Sequence, residues 1–180
     1  MTTPADAPLD TFSECHAGIL SHLQVLGELP ALLEPVARAR RIAADTLVFF
    51  RQAVFEHHQE EERELFPAVL ASATPGAERG QVEDLIKRLT GEHRAVESTW
   101  SRLEPELKLV AKGDEASLDG ASVVALVSTY ANHARFEEQV FLPLAHSILS
   151  RNGNHMAALG VSLHLRHAMP AVLARYGHRI

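Results

Sequence analysis

The chain has 180 residues, 46% hydrophobic and 22% charged, with a formal net charge of −6, which suits one globular domain with a substantial core. That charge, with no basic stripe, excludes the electrostatic footprint of a nucleic-acid binder. No apolar run reaches the roughly 18 to 20 residues of a membrane span. The opening MTTPADAPLD lacks the basic and apolar regions of a secretory signal, so no membrane partner is expected and cytoplasm is the expected compartment. The single Cys15 excludes an intramolecular disulfide and any zinc site built on several thiolates.

In chain order, residues 1–10 read as a disordered lead-in closed by a cap at Asp10 or Thr11. A first helix is expected from about Phe12 to Leu29, with Phe12, His16, Ile19, Leu23 and Leu26 on one stripe. Pro30 and Pro35 break it. The second runs from about Val36 to Ala71, with Leu47, Phe50, Val54, His57, Glu61 and Leu65 spaced three and four apart. Ala73-Thr74-Pro75-Gly76 stops it. A third helix, about Ala77 to Val110, carries Val82, Ile86, Leu89, His93, Val96, Trp100 and Leu103, and Gly113 suits its left-handed cap. The fourth, about Ala116 to Ser150, presents Val123, Val127, Tyr130, His133, Glu137, Val140 and Leu144. Asn152-Gly153-Asn154 breaks the chain before a last amphipathic helix, about His155 to Tyr176.

Four long helices joined by short connections predict an all-α fold, an up-down-up-down four-helix bundle over residues 11–151, with an additional C-terminal helix in residues 152–180 packed on it. The second and fourth helices echo each other. EHHQEEERELFPAVL and NHARFEEQVFLPLAH align His57 with His133, Glu61 with Glu137 and Pro67 with Pro143.

Three histidines are followed four residues later by a glutamate: His57–Glu61, His93–Glu97 and His133–Glu137. Residues four apart stack on one helix face, and these faces otherwise look buried, where an uncompensated carboxylate costs several kcal/mol. Neutral imidazoles and bridging carboxylates projecting inward from facing helices suit a pair of iron or manganese ions. The candidate metal ligands are His16, His57, Glu61, His93, Glu97, His133 and Glu137. Glu97 is turned about 40° from His93 and either reaches inward or pairs with Arg94 or Arg102. His58, Glu60 and Glu62 read as residues of a solvated or inter-helix face, or as hydrogen-bond partners of the ligands. No Ser-His-Asp or Cys-His arrangement and no glycine-rich phosphate loop is present.

The ordered set resembles the hemerythrin-like, or HHE cation-binding, family: Glu14-Cys15-His16, then His57, Glu61, Phe66 and Pro67, then Glu92-His93, then His133, Glu137 and Pro143. The resemblance covers about Thr11 to Ser150. It implies a four-helix bundle around two iron ions with a bridging oxo or hydroxo group and Glu61 and Glu137 as bridging carboxylates; manganese and zinc are substitutes. It implies a small-molecule ligand, namely dioxygen, peroxide or nitric oxide, serving sensing, storage or detoxification. The alternatives are a di-iron oxidase or peroxidase drawing on an electron donor, and a metal-stabilised interaction module without catalysis. Dioxygen-carrying members place two histidines four apart on the third helix, where this chain has His93 and Glu97. They also place an aspartate five residues after the fourth-helix histidine, where this chain has Glu138, with Glu137 one residue earlier. Those departures shift the expectation from reversible carriage toward reduction, storage or sensing.

Overall fold

The computed structural model describes residues 7–151, with side chains from residue 16 onward; most of the expected lead-in and the whole of the expected C-terminal helix lie outside the described residues. Within them every element is helical. None of these helices is long and apolar enough to cross a membrane.

The elements form three rods. The first is one unbroken helical run: α1 (Ala7–Phe49), a π-helical turn (Phe50–Val54), α2 (Phe55–Glu60), a second π-turn (Glu61–Leu65) and α3 (Phe66–Ser72). The second rod is α4 (Ala77–Lys112). The third is α5 (Gly120–Phe136), a π-turn (Glu137–Phe141) and α6 (Leu142–Leu149). The two helices expected on either side of Pro30 and Pro35 are thus one, with both prolines inside α1. All described side chains from residue 16 to 42 are exposed, so water can satisfy the carbonyls that each proline ring frees one turn earlier. The stripe of Ile19, Leu23 and Leu26, expected to face a bundle, is about half exposed at 51%, 53% and 53%.

The first rod meets its neighbours near Arg40, which donates to the Lys112 carbonyl at 2.8 Å. From there two apolar clusters fill the space between the rods. One joins Phe50, Val54, Val96, Trp100, Leu103 and Leu126, with the Phe50 and Trp100 rings stacked at 3.8 Å. The other joins Phe66, Val69, Val82, Leu89, Phe141 and Ile148. A layer of buried polar residues interrupts the core: His58, Glu61, His93, His133 and Glu137.

Short connections set the antiparallel order. Gly76, at φ 106°, turns the first rod into α4. At the far end Gly113, at φ 86° and ψ 21°, donates to the Leu109 and Val110 carbonyls while Asp114 donates to Leu109, a left-handed cap that closes the orphan carbonyls of the last turn. Asp119 starts α5 by accepting from the Ala121 and Ser122 amides at 3.1 Å. Arg151 ties the other end of the third rod to Glu78, at 2.5 and 2.9 Å.

Gly113→Ala should destabilise the fold by about 1–2 kcal/mol, the cost of a left-handed residue with a Cβ. The added carbon would also stand 2.9 Å from the Arg40 guanidinium carbon. Thermal melts should show a fall of several degrees; an unchanged melting temperature would argue against this cap.

Candidate metal centre

Two groups of donors converge between the clusters. His58, His93 and His133 bring three ring nitrogens within 4.8 Å of one another; His57, Glu61 and Glu137 bring one nitrogen and two carboxylate oxygens equally close. The groups adjoin, since His93 Nε2 lies 3.2 Å from Glu61 Oε2. The His58 and His93 rings stack at 3.9 Å, and His133 stands edge-on to His93 at 4.8 Å.

Backbone geometry helps to aim these side chains. The π-turns of the first and third rods begin at Glu61 and at Glu137, the two glutamates equated by the internal echo. In each, a proline follows six residues later, inside the next helix at Pro67 and Pro143. Such a ring removes a donor and presses on the carbonyl four residues back; a π-turn widens the helix there and relieves the contact.

The outer nitrogens of two imidazoles are held by carboxylates. His93 donates from Nδ1 to Glu62 at 2.8 Å, and His133 from Nδ1 to Glu92 at 3.1 Å. Glu62 is fixed in turn by Arg94, and Glu92 by Arg88 at 2.8 Å. A neutral imidazole that donates through Nδ1 carries a lone pair on Nε2. His93 Nε2 and His133 Nε2 are buried without a hydrogen-bond partner, as are both Glu61 oxygens and both nitrogens of His58. Lone pairs therefore face one another: His93 Nε2 against Glu61 Oε2 at 3.2 Å, and His133 Nε2 against Glu137 Oε2 at 3.9 Å. Each such unsatisfied buried group costs about 1–3 kcal/mol, more if charged. Cations between them remove the cost, and carboxylate-held histidines around a shared interior are the usual metal arrangement. The donor set fits.

The electrostatics agree. Burial, with the neighbouring His93 and His133, pushes His58 down to about 3, so it is neutral and able to ligate. Burial, reinforced by the Glu61 carboxylate, pushes Glu137 up to about 9. Burial also opposes the charge on Glu61, yet the neighbouring His93 and Glu137 outweigh it and lower its pKa. His93 is raised, because Glu61 and Glu62 overcome its burial. The Tyr130 phenol is pushed up to about 12 by burial and then by the charges of Glu61 and Glu137, and its ring lies 6.1 Å from His58 and 5.9 Å from His133.

Of the seven ligands expected from sequence, five come together here: His57, Glu61, His93, His133 and Glu137. Glu97 does not join them. It chelates Arg94 at 2.8 and 2.9 Å, and its nearer oxygen stays 3.8 Å from His58 Nδ1. His16 is exposed on the free part of α1, far along the rod. His58 takes the place beside His93 that was expected of Glu97. Its signal was present but ambiguous: Val54 to His58 to Glu61 is as good a four-and-three spacing as Val54 to His57 to Glu61. Glu62 is here the hydrogen-bond partner of His93, one of the candidate ligands, which is among the roles open to it from sequence.

Three rods carrying buried, partnerless imidazoles and carboxylates in one polar layer define a helical cation-binding protein. The model of the Hemerythrin HHE cation binding domain family matches residues 7–145; the chain belongs to this family. A protein of Haemophilus influenzae, described as uncharacterized, is 25% identical over 158 residues, covering 84% of this chain and 88% of its own length. No solved structure matches.

Two outcomes follow. Because Glu137 holds a proton up to about pH 9 and His93 is also raised, divalent cations must displace protons. Apparent affinity should rise as pH goes from about 5 to 9, and uptake in weak buffer should acidify it; titration in buffers of different ionisation enthalpy measures the count. The stability of the cation-free protein runs the other way for Glu137. Its raised pKa favours the folded state below about 4.5, and that contribution is lost as pH rises through 9. Secondly, His58→Ala should lower the metal content per chain and weaken binding at least tenfold, whereas Glu97→Ala should leave both within about twofold. Equal losses in the two variants would contradict this ligand set.

Proposed function

We propose that this chain is a non-haem di-iron protein whose small-molecule ligand is dioxygen, peroxide or nitric oxide, acting in oxygen or iron sensing, storage or detoxification. One observation carries the reading. Three imidazoles gather in one group, an imidazole and two carboxylates in the next, and the groups meet at a 3.2 Å contact of two lone-pair atoms. Three neutral donors beside a carboxylate-rich set suit two cations of intermediate hardness better than magnesium or calcium, which prefer oxygen throughout. Iron in such a site supplies reversible one-electron chemistry and affinity for diatomic ligands.

The protein's own part is positioning. Glu62 and Glu92 fix the tautomers of His93 and His133, and Arg94 and Arg88 hold those carboxylates in place. Phe66 packs 6.0 Å from the His93 ring, keeping that end of the site dry. A surface cleft of about 520 Å³ reaches His58 between Phe55, Gln59, Glu62, Arg94 and Glu97, wide enough for a small ligand to approach. A carboxylate ligand at Glu97 would have favoured an oxidase. Its engagement by Arg94 leaves a ligand-binding role as the better-supported reading.

Protein loaded anaerobically with ferrous ion should hold about two irons per chain. Stopped-flow mixing with dioxygen or nitric oxide should give a lasting, reversible spectral change. Rapid, irreversible conversion to the diferric form would make it an oxidase. Failure of the folded protein to take up iron would end the proposal.

A further inference from the structure

Tyr130 stands at the border between the polar layer and the Phe50–Trp100 cluster, against which its half-buried ring packs. It precedes His133 by three residues on α5 and so shares its face, one turn away. The ring lies 5.9 Å from His133 and 6.1 Å from His58, inclined to the latter by only 24°. Burial, then the charges of Glu61 and Glu137, push the phenol up to about 12. The hydroxyl thus lies within the field of both carboxylates and keeps its proton at neutral pH. Buried phenols usually find a partner, yet no hydrogen bond to another described residue occupies this one.

The layer beside it is short of donors. His93 and His133 spend their Nδ1–H groups on Glu62 and Glu92. His58 turns Nδ1 toward Glu97, 3.8 Å away, and His57 Nε2 lies 3.1 Å from Glu61. Once cations displace the Glu137 proton, the inward-facing atoms of these side chains can only accept or ligate. Dioxygen, peroxide and nitric oxide all accept hydrogen bonds and draw negative charge from a reduced metal. A donor already in place in a water-poor site stabilises such charge without reorganising.

We propose that Tyr130 donates its phenolic O–H to the small ligand held beside His58 and His133, and so sets how long that ligand stays. The role rests on the di-iron reading above. It is a binding contact alone: the hydroxyl keeps its proton, forms no bond to metal and undergoes no covalent change. Tyr130 is not among the side chains whose atoms converge to hold the cations, so metal affinity does not depend on it.

Nitric oxide is the probe, added without air to ferrous-loaded wild type and Tyr130→Phe. The variant keeps the ring, so iron per chain and melting temperature should match wild type. Nitric oxide should leave the variant about two- to tenfold faster, the worth of one neutral hydrogen bond. The infrared N–O stretching band should differ between the two proteins. Exchange into heavy water should shift it in wild type and not in Tyr130→Phe. Tyr176→Phe, which removes the chain's other tyrosine, should behave as wild type. Equal departure rates with the isotope shift retained would overturn the proposal and move the donor to His58. Faster departure from the variant, with no isotope shift in wild type, would mark a packing effect and overturn it too. So would a visible tyrosinate-to-iron band or a loss of iron from Tyr130→Phe, either of which makes the residue a ligand. Wild type that takes up no iron, or takes it up and binds no nitric oxide, would defeat the ligand-binding reading itself.

Discussion

The structure depends on a buried layer of imidazoles and carboxylates with too few protons to satisfy its lone pairs. His93 and His133 spend their N–H groups on Glu62 and Glu92, so their inner nitrogens can only accept. They face Glu61 and Glu137, which are acceptors unless protonated. An apolar core of the same volume would be more stable by itself. Such a layer persists where a positive charge is brought into it, and it makes cation binding and folding one problem.

The remainder of the body serves that layer. One apolar cluster around Phe50 and Trp100 closes one side, and a second around Phe66, Val69 and Phe141 the other. The cleft that reaches His58 opens between the first and second rods, so approach is lateral. The π-turns at Glu61 and Glu137 place the two central carboxylates at helix irregularities and not on uniform helical faces. A shift of helix phase there decides which neighbour of each glutamate points inward. His57 and His58, consecutive on the regular helix α2 and so about 100° apart, serve both donor groups, His57 in one and His58 in the other.

Among the described residues the layer is closed by three rods, and the family model is matched from residue 7 onward. The helical segment carrying His16 is therefore part of the family's pattern while standing clear of the other described residues. Pro30 and Pro35, expected to end a helix, are tolerated because α1 is solvated all round at that point. In a buried helix the carbonyls they free would need other partners.

What the sequence determined by itself was chemistry and period. Helical spacing, the stop at Ala73–Gly76, the cap at Gly113 and the ordered His and Glu residues follow from local rules that neighbouring residues are enough to satisfy. The polar layer was legible because carboxylates on an apolar stripe contradict burial unless a cation joins them. Tertiary structure alone decided the choice between near-equivalent neighbours. His57 and His58 are both in phase with Val54, and only packing against His93 shows that His58 is inside. Glu62 and Glu97 both bind Arg94, and only the packing shows that Glu62 also takes the His93 N–H. The path of α1 was settled in the same way, since two prolines break a buried helix but not a hydrated one, and burial is a property of the assembled chain.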